Sequence, residues 1–156
     1  MNERYSPSSD FLCALINDEV SLSGSAFAEG NLARLIGLTS DEDVANRDWA
    51  TFLLAQLELD RPDVRQALTA AAADQEGVVR AEAILGLAQL DCSLALPLVQ
   101  RELAGETVYL SVLEAAEMVA DSSLIPDLEA FTRQSSGINF LDEQAIRALD
   151  ACKGRQ

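Results

Sequence analysis

Apolar residues recur along the chain every three or four positions, which is the spacing of one face of an α-helix. One such stripe consists of Val79, Ala83, Leu87 and Leu90. Between the stripes lie short breaks with acidic residues, glycine or proline, as at 60–63 and 73–77, which are suited to starting a new helix. The pattern therefore predicts a series of short amphipathic helices joined by tight turns.

The chain also repeats itself. Residues 47–57 match residues 80–90 without a gap, with Arg, Ala, Leu, Ala, Gln and Leu at the same places, and 94–98 match 123–127. A period of about thirty residues is too long for one helix and suits two short helices with two turns. We therefore predict four helix pairs within a single domain of 1–156. The pairs are expected at 31–58, 61–90, 93–120 and 123–152.

The first 30 residues are predicted to form an N-terminal cap. A helix over about 8–20 is expected there, because apolar residues fall on one of its faces. These residues are Phe11, Leu12, Leu15 and Ile16. Terminal repeats of a helical stack expose a core edge, so we expect this helix to cover the open end.

The repeated segments carry a recognisable motif. Residues 74–87 read Asp-Gln-Glu-Gly-Val-Val-Arg-Ala-Glu-Ala-Ile-Leu-Gly-Leu, and 43–50 read similarly. These segments resemble HEAT-like repeats of the phycobilin-lyase type, over about 31–134 and more loosely to 152. The third repeat departs from the motif, since Tyr109 replaces the arginine. The resemblance implies an all-α fold, a short right-handed α-solenoid of about four HEAT-like helix pairs with an N-terminal capping helix.

The resemblance also implies roles for particular segments. The second helix of each pair should line the concave side, at 44–58, 77–90, 107–119 and 140–152. The acid of the motif should cap the helix start, and its arginine, Arg47 or Arg80, should pair with an acid of the next repeat.

Composition adds a strong charge bias. The chain has 11 Lys and Arg against 26 Asp and Glu, a formal net charge of -15. Such a chain should repel a phosphate backbone and an anionic membrane, so we expect no nucleic-acid and no membrane partner. A basic protein partner is favoured, because fields of opposite sign steer association. The sequence leaves the oligomeric state open.

Several kinds of chemistry are excluded by residue type. The chain contains no histidine, so Ser-His-Asp and Cys-His catalysis cannot occur. Cys13, Cys92 and Cys152 form no CxxC pair, which predicts reduced thiols in a cytoplasmic protein. Glu114 and Glu117 share a helical face, but such a pair is expected by chance among 26 acids. We therefore predict no catalytic residue, no cofactor and no metal site, and hence no enzyme.

A second stripe on the concave helices predicts a partner-binding surface. Matching the repeats aligns Trp49 with Glu82 and Ser111, Phe52 with Leu85 and Glu114, and Gln56 with Gln89. An aromatic anchor ringed by acids suits a basic protein partner. The predicted partner-binding residues are Trp49, Phe52, Gln56, Glu82, Leu85, Gln89, Ser111, Glu114 and Glu117. The alternative is that Trp49 and Phe52 pack against the N-terminal helix at Phe11 and Leu15.

These features together predict a protein-binding module. In its sharpest form the protein is an acidic immunity or inhibitor protein that neutralises a basic toxin, such as a nuclease, by placing carboxylates where nucleic-acid phosphates would lie. A non-inhibitory scaffold or adaptor in a larger complex is the first alternative. A lyase-like enzyme acting on a bound small molecule is the second, and it would need a deep pocket with perturbed carboxylates.

Overall fold

The computed structural model describes residues 5–154, and all regular structure in that range is helical. This confirms the predicted all-α fold. The elements in chain order are α1 (Asp10–Ile16), α2 (Ala28–Leu38), α3 (Val44–Gln56), α4 (Pro62–Ala71), α5 (Gly77–Leu90), α6 (Cys92–Leu103), α7 (Leu110–Val119), a 3-10 turn (Ser122–Leu124), α8 (Ile125–Gln134) and α9 (Asn139–Gly154). Each predicted pair corresponds to two successive helices, α2 with α3, α4 with α5, α6 with α7 and α8 with α9.

Local chemistry explains where these helices begin. Asp43 caps α3 by accepting a hydrogen bond from the Ala45 backbone N–H at 2.9 Å. Asp91 caps α6 in the same way. Pro62 occupies the first turn of α4, where its missing N–H leaves no hydrogen bond unmade.

The helices form two layers. In the inner layer, α3, α5, α7 and α9 pack on one another in succession. In the outer layer, α2, α4, α6 and α8 contact these inner helices extensively and one another only sparsely. We call the open side of the inner layer the inner face.

The helix α5 lies at the centre and is buried on nearly all sides. Leu85 is only 8% exposed, and Ile84 and Leu87 belong to the same hydrophobic core. The single apolar stripe predicted for this helix is therefore too narrow, since α3, α4, α6 and α7 all pack against it. Gly86 is needed at the closest approach, because a Cβ there would lie 2.8 Å from the Ala55 Cβ.

Two arginines tie consecutive repeats together. Arg47 donates from Nε and Nη2 to both carboxylate oxygens of Asp74, at 2.8 and 3.2 Å. Arg80 holds Glu102 in the same bidentate manner. Each arginine also donates from Nη1 to two backbone carbonyls of the turn before its own helix. The prediction that the motif arginine pairs with an acid of the next repeat is confirmed.

The N-terminal helix covers the first repeat as predicted, but it is shorter. Phe11, Leu12 and Leu15 are buried, and α1 packs against α3. Ile16, predicted on the same buried face, is 39% exposed. The helix ends at this point because Asp18 adopts the left-handed conformation, with φ of 59°, which a helix cannot continue through.

Candidate functional site

Four acidic side chains follow one another along the inner face. We call Asp48, Glu82, Glu114 and Glu117 the inner acidic strip. They lie on α3, α5 and α7, and each is partly exposed. Burial raises the pKa values of Asp48, Glu82 and Glu114, and the neighbouring carboxylates add to the effect at Glu82 and Glu114. None of the four forms an ion pair within residues 5–154.

The strip begins at a small aromatic cavity. Its volume is about 160 Å³, and it is lined by Tyr5, Asp48, Trp49, Phe52 and Glu82. The Trp49 and Phe52 rings meet edge to face, with centroids 5.8 Å apart and planes at 89°. The indole Nε1 of Trp49 donates to the Tyr5 carbonyl oxygen at 3.0 Å, which fixes the orientation of the ring. The two rings therefore form a corner of this cavity.

The segment before α1 reaches this position because it is bound to the start of α3. The Ser9 backbone N–H donates to Asn46 Oδ1 at 3.0 Å, and the Ser8 hydroxyl donates to an Asp43 carboxylate oxygen at 2.6 Å. Trp49 thus contacts the N-terminal region, as the alternative interpretation held, but its polar contact is with the backbone of Tyr5. Trp49 also borders the cavity, and its role in binding a partner stays a prediction.

The two carboxyl groups at the cavity are held away from water. Burial raises the pKa of Asp48 to about 6. Burial also raises the pKa of Glu82 to about 7, with smaller contributions from the negative charges of Asp48 and Glu114. The Ser111 hydroxyl donates to Glu82 Oε1 at 2.8 Å and opposes this rise in the pKa. Both groups therefore titrate near neutral pH.

The strip ends at a single polar cluster on α9. The pKa of Glu114 is raised by burial and by Glu117, against the lowering effect of Arg147. Gln144 donates from Nε2 to a Glu117 carboxylate oxygen. Arg147 in turn donates to Gln144 Oε1 at 2.6 Å. Arg147 thus donates to an amide and forms no ion pair with the strip among the described residues.

Two of the predicted site residues lie in the interior. Leu85 belongs to the core, and Ser111 is 9% exposed, so neither presents an open contact surface. These two residues are buried because α5 packs closely between α3 and α7. Neighbouring repeats therefore cover positions that would be exposed in a single isolated helix pair. Ser111 instead supports Glu82 by its hydrogen bond.

The two predicted glutamines differ from each other. Gln56 is exposed at the end of α3. Gln89 is only partly exposed, and its side-chain carbonyl oxygen is buried without a hydrogen-bond partner in the described part of the chain.

Two residues of the cavity were missed by sequence reasoning. Asp48 directly precedes Trp49 and lies four residues before Phe52, so helical spacing alone could have placed it on the same face. No local pattern identifies Tyr5, since its position depends on the hydrogen bonds that Ser8 and Ser9 make with α3.

A larger groove lies elsewhere, between α2 and α4, with a volume of about 640 Å³. Its charged side chains already have partners within the chain. Arg47 pairs with Asp74, Asp63 pairs with Arg61, and Asp41 accepts hydrogen bonds from the Asp43 backbone and from Asn46. The groove therefore offers a ligand few free charged groups, and we place the candidate site at the inner face.

Across residues 5–154, no three His, Cys, Asp or Glu side chains come close enough to bind a metal ion. In the same range, every helix is too short or too polar to cross a membrane.

Comparisons with known proteins identify bacterial relatives. No family model matches the chain. Over 119 residues, or 76% of the chain, it is 30% identical to protein YibA of Escherichia coli K12, and it matches protein YibA of Escherichia coli O157:H7 equally well. The chain spans about two fifths of the length of these curated relatives. An X-ray structure of the E. coli YibA protein superposes with a TM-score of 0.60 at 25% identity, over 88% of this chain and 54% of the other.

These matches show that the chain is similar in sequence and fold to a bacterial helical protein. The arrangement is consistent with a HEAT-like repeat fold. The likeness to repeats of the phycobilin-lyase type rests on the sequence motif alone.

Proposed function

We propose that this protein is a binding module that captures a basic protein partner on its inner face. In the sharpest form it is an inhibitor or immunity protein that neutralises a basic toxin, such as a nuclease. The observation that carries this proposal is the inner acidic strip, whose four carboxylates form no ion pair within the described chain.

The distribution of the positive charges supports the proposal. Six cationic side chains of the described residues are ion-paired with acids of this chain away from the strip, and these are Arg47, Arg61, Arg65, Arg80, Arg101 and Lys153. They secure turns and repeat contacts, so they do not neutralise the inner face. With a net charge of -15, the protein projects a negative field that speeds the approach of a basic partner.

The chemistry of the strip supports inhibition as well as binding. A nuclease presents cationic groups to the phosphates of its substrate, and a row of carboxylates can occupy the same groups. The carboxylates of the strip repel each other and are partly desolvated, which raises the pKa of Glu82 and Glu114. A cationic surface that covers them relieves this repulsion, so the inner face gains more from such a partner than the paired outer surface does.

The proposal is tested by affinity capture with a matched pair of charge reversals. Glu114→Lys with Glu117→Lys reverses two charges of the strip. Glu19→Lys with Glu106→Lys makes the same change of net charge at exposed sites after α1 and before α7. Each tagged chain is used to capture partners from lysate of its own organism, at low and at moderate salt. The captured protein is identified by mass spectrometry, and its affinity for each purified chain is then measured.

We expect one basic partner in a one-to-one complex that weakens with salt. The strip variant should bind this partner at least tenfold more weakly, and the control should bind within about threefold of the unmodified chain. The isolated partner should degrade nucleic acid and should stop doing so when saturated with the unmodified chain. Equal binding of the partner by both variants would exclude the inner acidic strip as the binding surface. Several partners without salt dependence would instead indicate a scaffold.

A further inference from the structure

The cavity at the start of the strip combines aromatic residues with acidic ones. Three aromatic residues, Tyr5, Trp49 and Phe52, line it, and two acidic residues, Asp48 and Glu82, complete its lining. Within residues 5–154, the Asp48 carboxylate makes no hydrogen bond or ion pair, and the Glu82 carboxylate accepts one hydrogen bond, from the Ser111 hydroxyl. As far as this range goes, both acids can therefore accept a further donor.

We propose that this cavity receives the guanidinium group of one arginine side chain from the basic partner. The inference rests on the proposed function, because it names the group of the partner that the inner face recognises. It goes further in assigning a discrete site, formed by Tyr5, Asp48, Trp49, Phe52 and Glu82, to a single side chain.

The lining selects a cation. The faces of aromatic rings carry partial negative charge and attract cations within about 6 Å of the ring centroid. Carboxylates in a partly buried site attract the same cation more strongly than carboxylates in bulk water do. An apolar side chain would leave both acids without partners, and an anion would be repelled by them. The combination of rings and acids therefore excludes the other classes of side chain.

Arginine fits better than lysine. Its guanidinium is planar, stacks on aromatic faces, is weakly hydrated and donates hydrogen bonds in several directions at once. The edge-to-face corner of Trp49 and Phe52 offers one ring for stacking, while Asp48 and Glu82 can accept the N–H groups at the rim. The volume also suits this group, since a cavity of about 150 Å³ accepts a molecule of benzene size and a guanidinium is smaller.

Proton release should accompany this binding. Since burial raises the pKa of Glu82 to about 7 and that of Asp48 to about 6, at pH 6 Glu82 is largely protonated and Asp48 is about half protonated in the empty site. The groups that face Glu82 are Asp48 on α3, Ser111 and Glu114 on α7, and Tyr5 in the N-terminal segment. A cation binds the ionised form, so affinity must rise with pH. For Glu82 alone the rise from pH 6 to pH 8 is about tenfold.

The test uses the single tryptophan of the chain as its reporter. The probe is N-acetyl-arginine N-methylamide, and its neutral counterpart N-acetyl-citrulline N-methylamide has nearly the same shape. Each is titrated into the full-length protein while the indole N–H signal of Trp49 is followed by two-dimensional NMR. We expect a saturable shift with the arginine probe, about tenfold weaker binding at pH 6 than at pH 8, and no saturable shift with the citrulline probe.

Matched variants distinguish binding of the probe in the cavity from a general attraction of the probe by the negative charge of the protein. Glu82→Gln and Glu106→Gln remove one charge each, the first in the cavity and the second at an exposed turn. Glu82→Gln should weaken the arginine probe about tenfold at pH 8 and flatten the pH dependence, whereas Glu106→Gln should leave both unchanged. Asp48→Asn serves as a second cavity variant, and the NMR spectra show whether each variant is folded. Equal shifts with both probes, or equal affinity of Glu82→Gln and Glu106→Gln, would overturn the proposal.

The outcome is independent of the capture experiment. If the strip variant loses its protein partner while the arginine probe never binds, the proposed function stands and the arginine site fails. If the probe binds as expected while no basic protein is captured, the arginine site stands and the proposed function fails.

Discussion

Glu82 is the residue at which stability and binding oppose each other. Its carboxyl is desolvated between α3 and α7, and burial raises its pKa to about 7. One hydrogen bond from Ser111 supports the charged form, but no cation of the described chain does so. A residue held in this way costs stability when it is ionised, and a partner's cation recovers part of that cost.

This predicts that Glu82→Gln stabilises the free protein at high pH. Because the folded-state pKa lies above the unfolded value, the contribution of Glu82 to stability is full below the unfolded pKa and is lost as pH rises through about 7. Glutamine removes this loss, so the free energy of unfolding should increase by about 1–2 kcal/mol at pH 8.5. The gain should shrink to a small fraction at pH 5. Urea denaturation at both pH values measures it.

The matched control is again Glu106→Gln, whose side chain is exposed in the turn before α7. Its free energy of unfolding should stay within about 0.5 kcal/mol of the unmodified protein at both pH values. A gain for Glu82→Gln that is the same at pH 5 and pH 8.5 would mean that desolvation of the carboxylate is not its cause.

At the scale of elements, the contact between α3 and α5 depends on the absence of a side chain. A Cβ on Gly86 would lie 2.8 Å from the Ala55 Cβ and 3.1 Å from a Leu68 methyl group, and the first distance is shorter than van der Waals contact allows. Two inner helices and an outer helix meet there, so none of them can move aside without disturbing the others.

We therefore predict that Gly86→Ala destabilises the protein by about 1–3 kcal/mol through overpacking. The control is Gly37→Ala near the end of α2, where an added Cβ meets no atom within 4 Å. Alanine is the better helix former, so this control should stabilise the protein by up to about 1 kcal/mol. Thermal unfolding of both variants distinguishes them by sign. A stabilised Gly86→Ala would show that α3 and α5 can separate at little cost.

Sequence reasoning predicted the helices better than the surfaces between them. Periodicity, Asp43 and Pro62 are local signals, so the positions of the helix pairs followed from them. Burial is not local. Leu85 was expected on the open face because its own helix gives no sign of how many neighbours surround it. Tyr5 lies at the cavity because of hydrogen bonds to a helix more than thirty residues away, which no spacing along the chain encodes.

At the scale of the whole molecule, most cationic side chains of the described residues form contacts within the chain. Six cationic side chains of the described residues hold turns and repeats together by ion pairs, while the inner acidic strip stays unpaired. With 26 acids against 11 bases, the compact chain must repel itself. The negative charge that attracts a basic partner thus also destabilises the folded state. Salt screens both the attraction of the partner and the repulsion within the chain.

Salt should therefore stabilise the free protein while it weakens capture of the partner. Raising NaCl from 0.01 to 0.15 M shortens the screening length from about 30 to about 8 Å. At pH 8 we expect the midpoint of thermal unfolding to rise by about 3 °C or more, since repulsion among the acids is reduced. At pH 5, where part of the acids are protonated, the rise should be smaller. Stability in denaturant must be measured with urea, because guanidinium screens the same charges and is the group proposed to enter the cavity. A midpoint of thermal unfolding that is unchanged by salt at pH 8 would mean that repulsion among the acids does not lower the stability of the folded protein. Any salt sensitivity of partner capture would then have to arise from local contacts at the inner face.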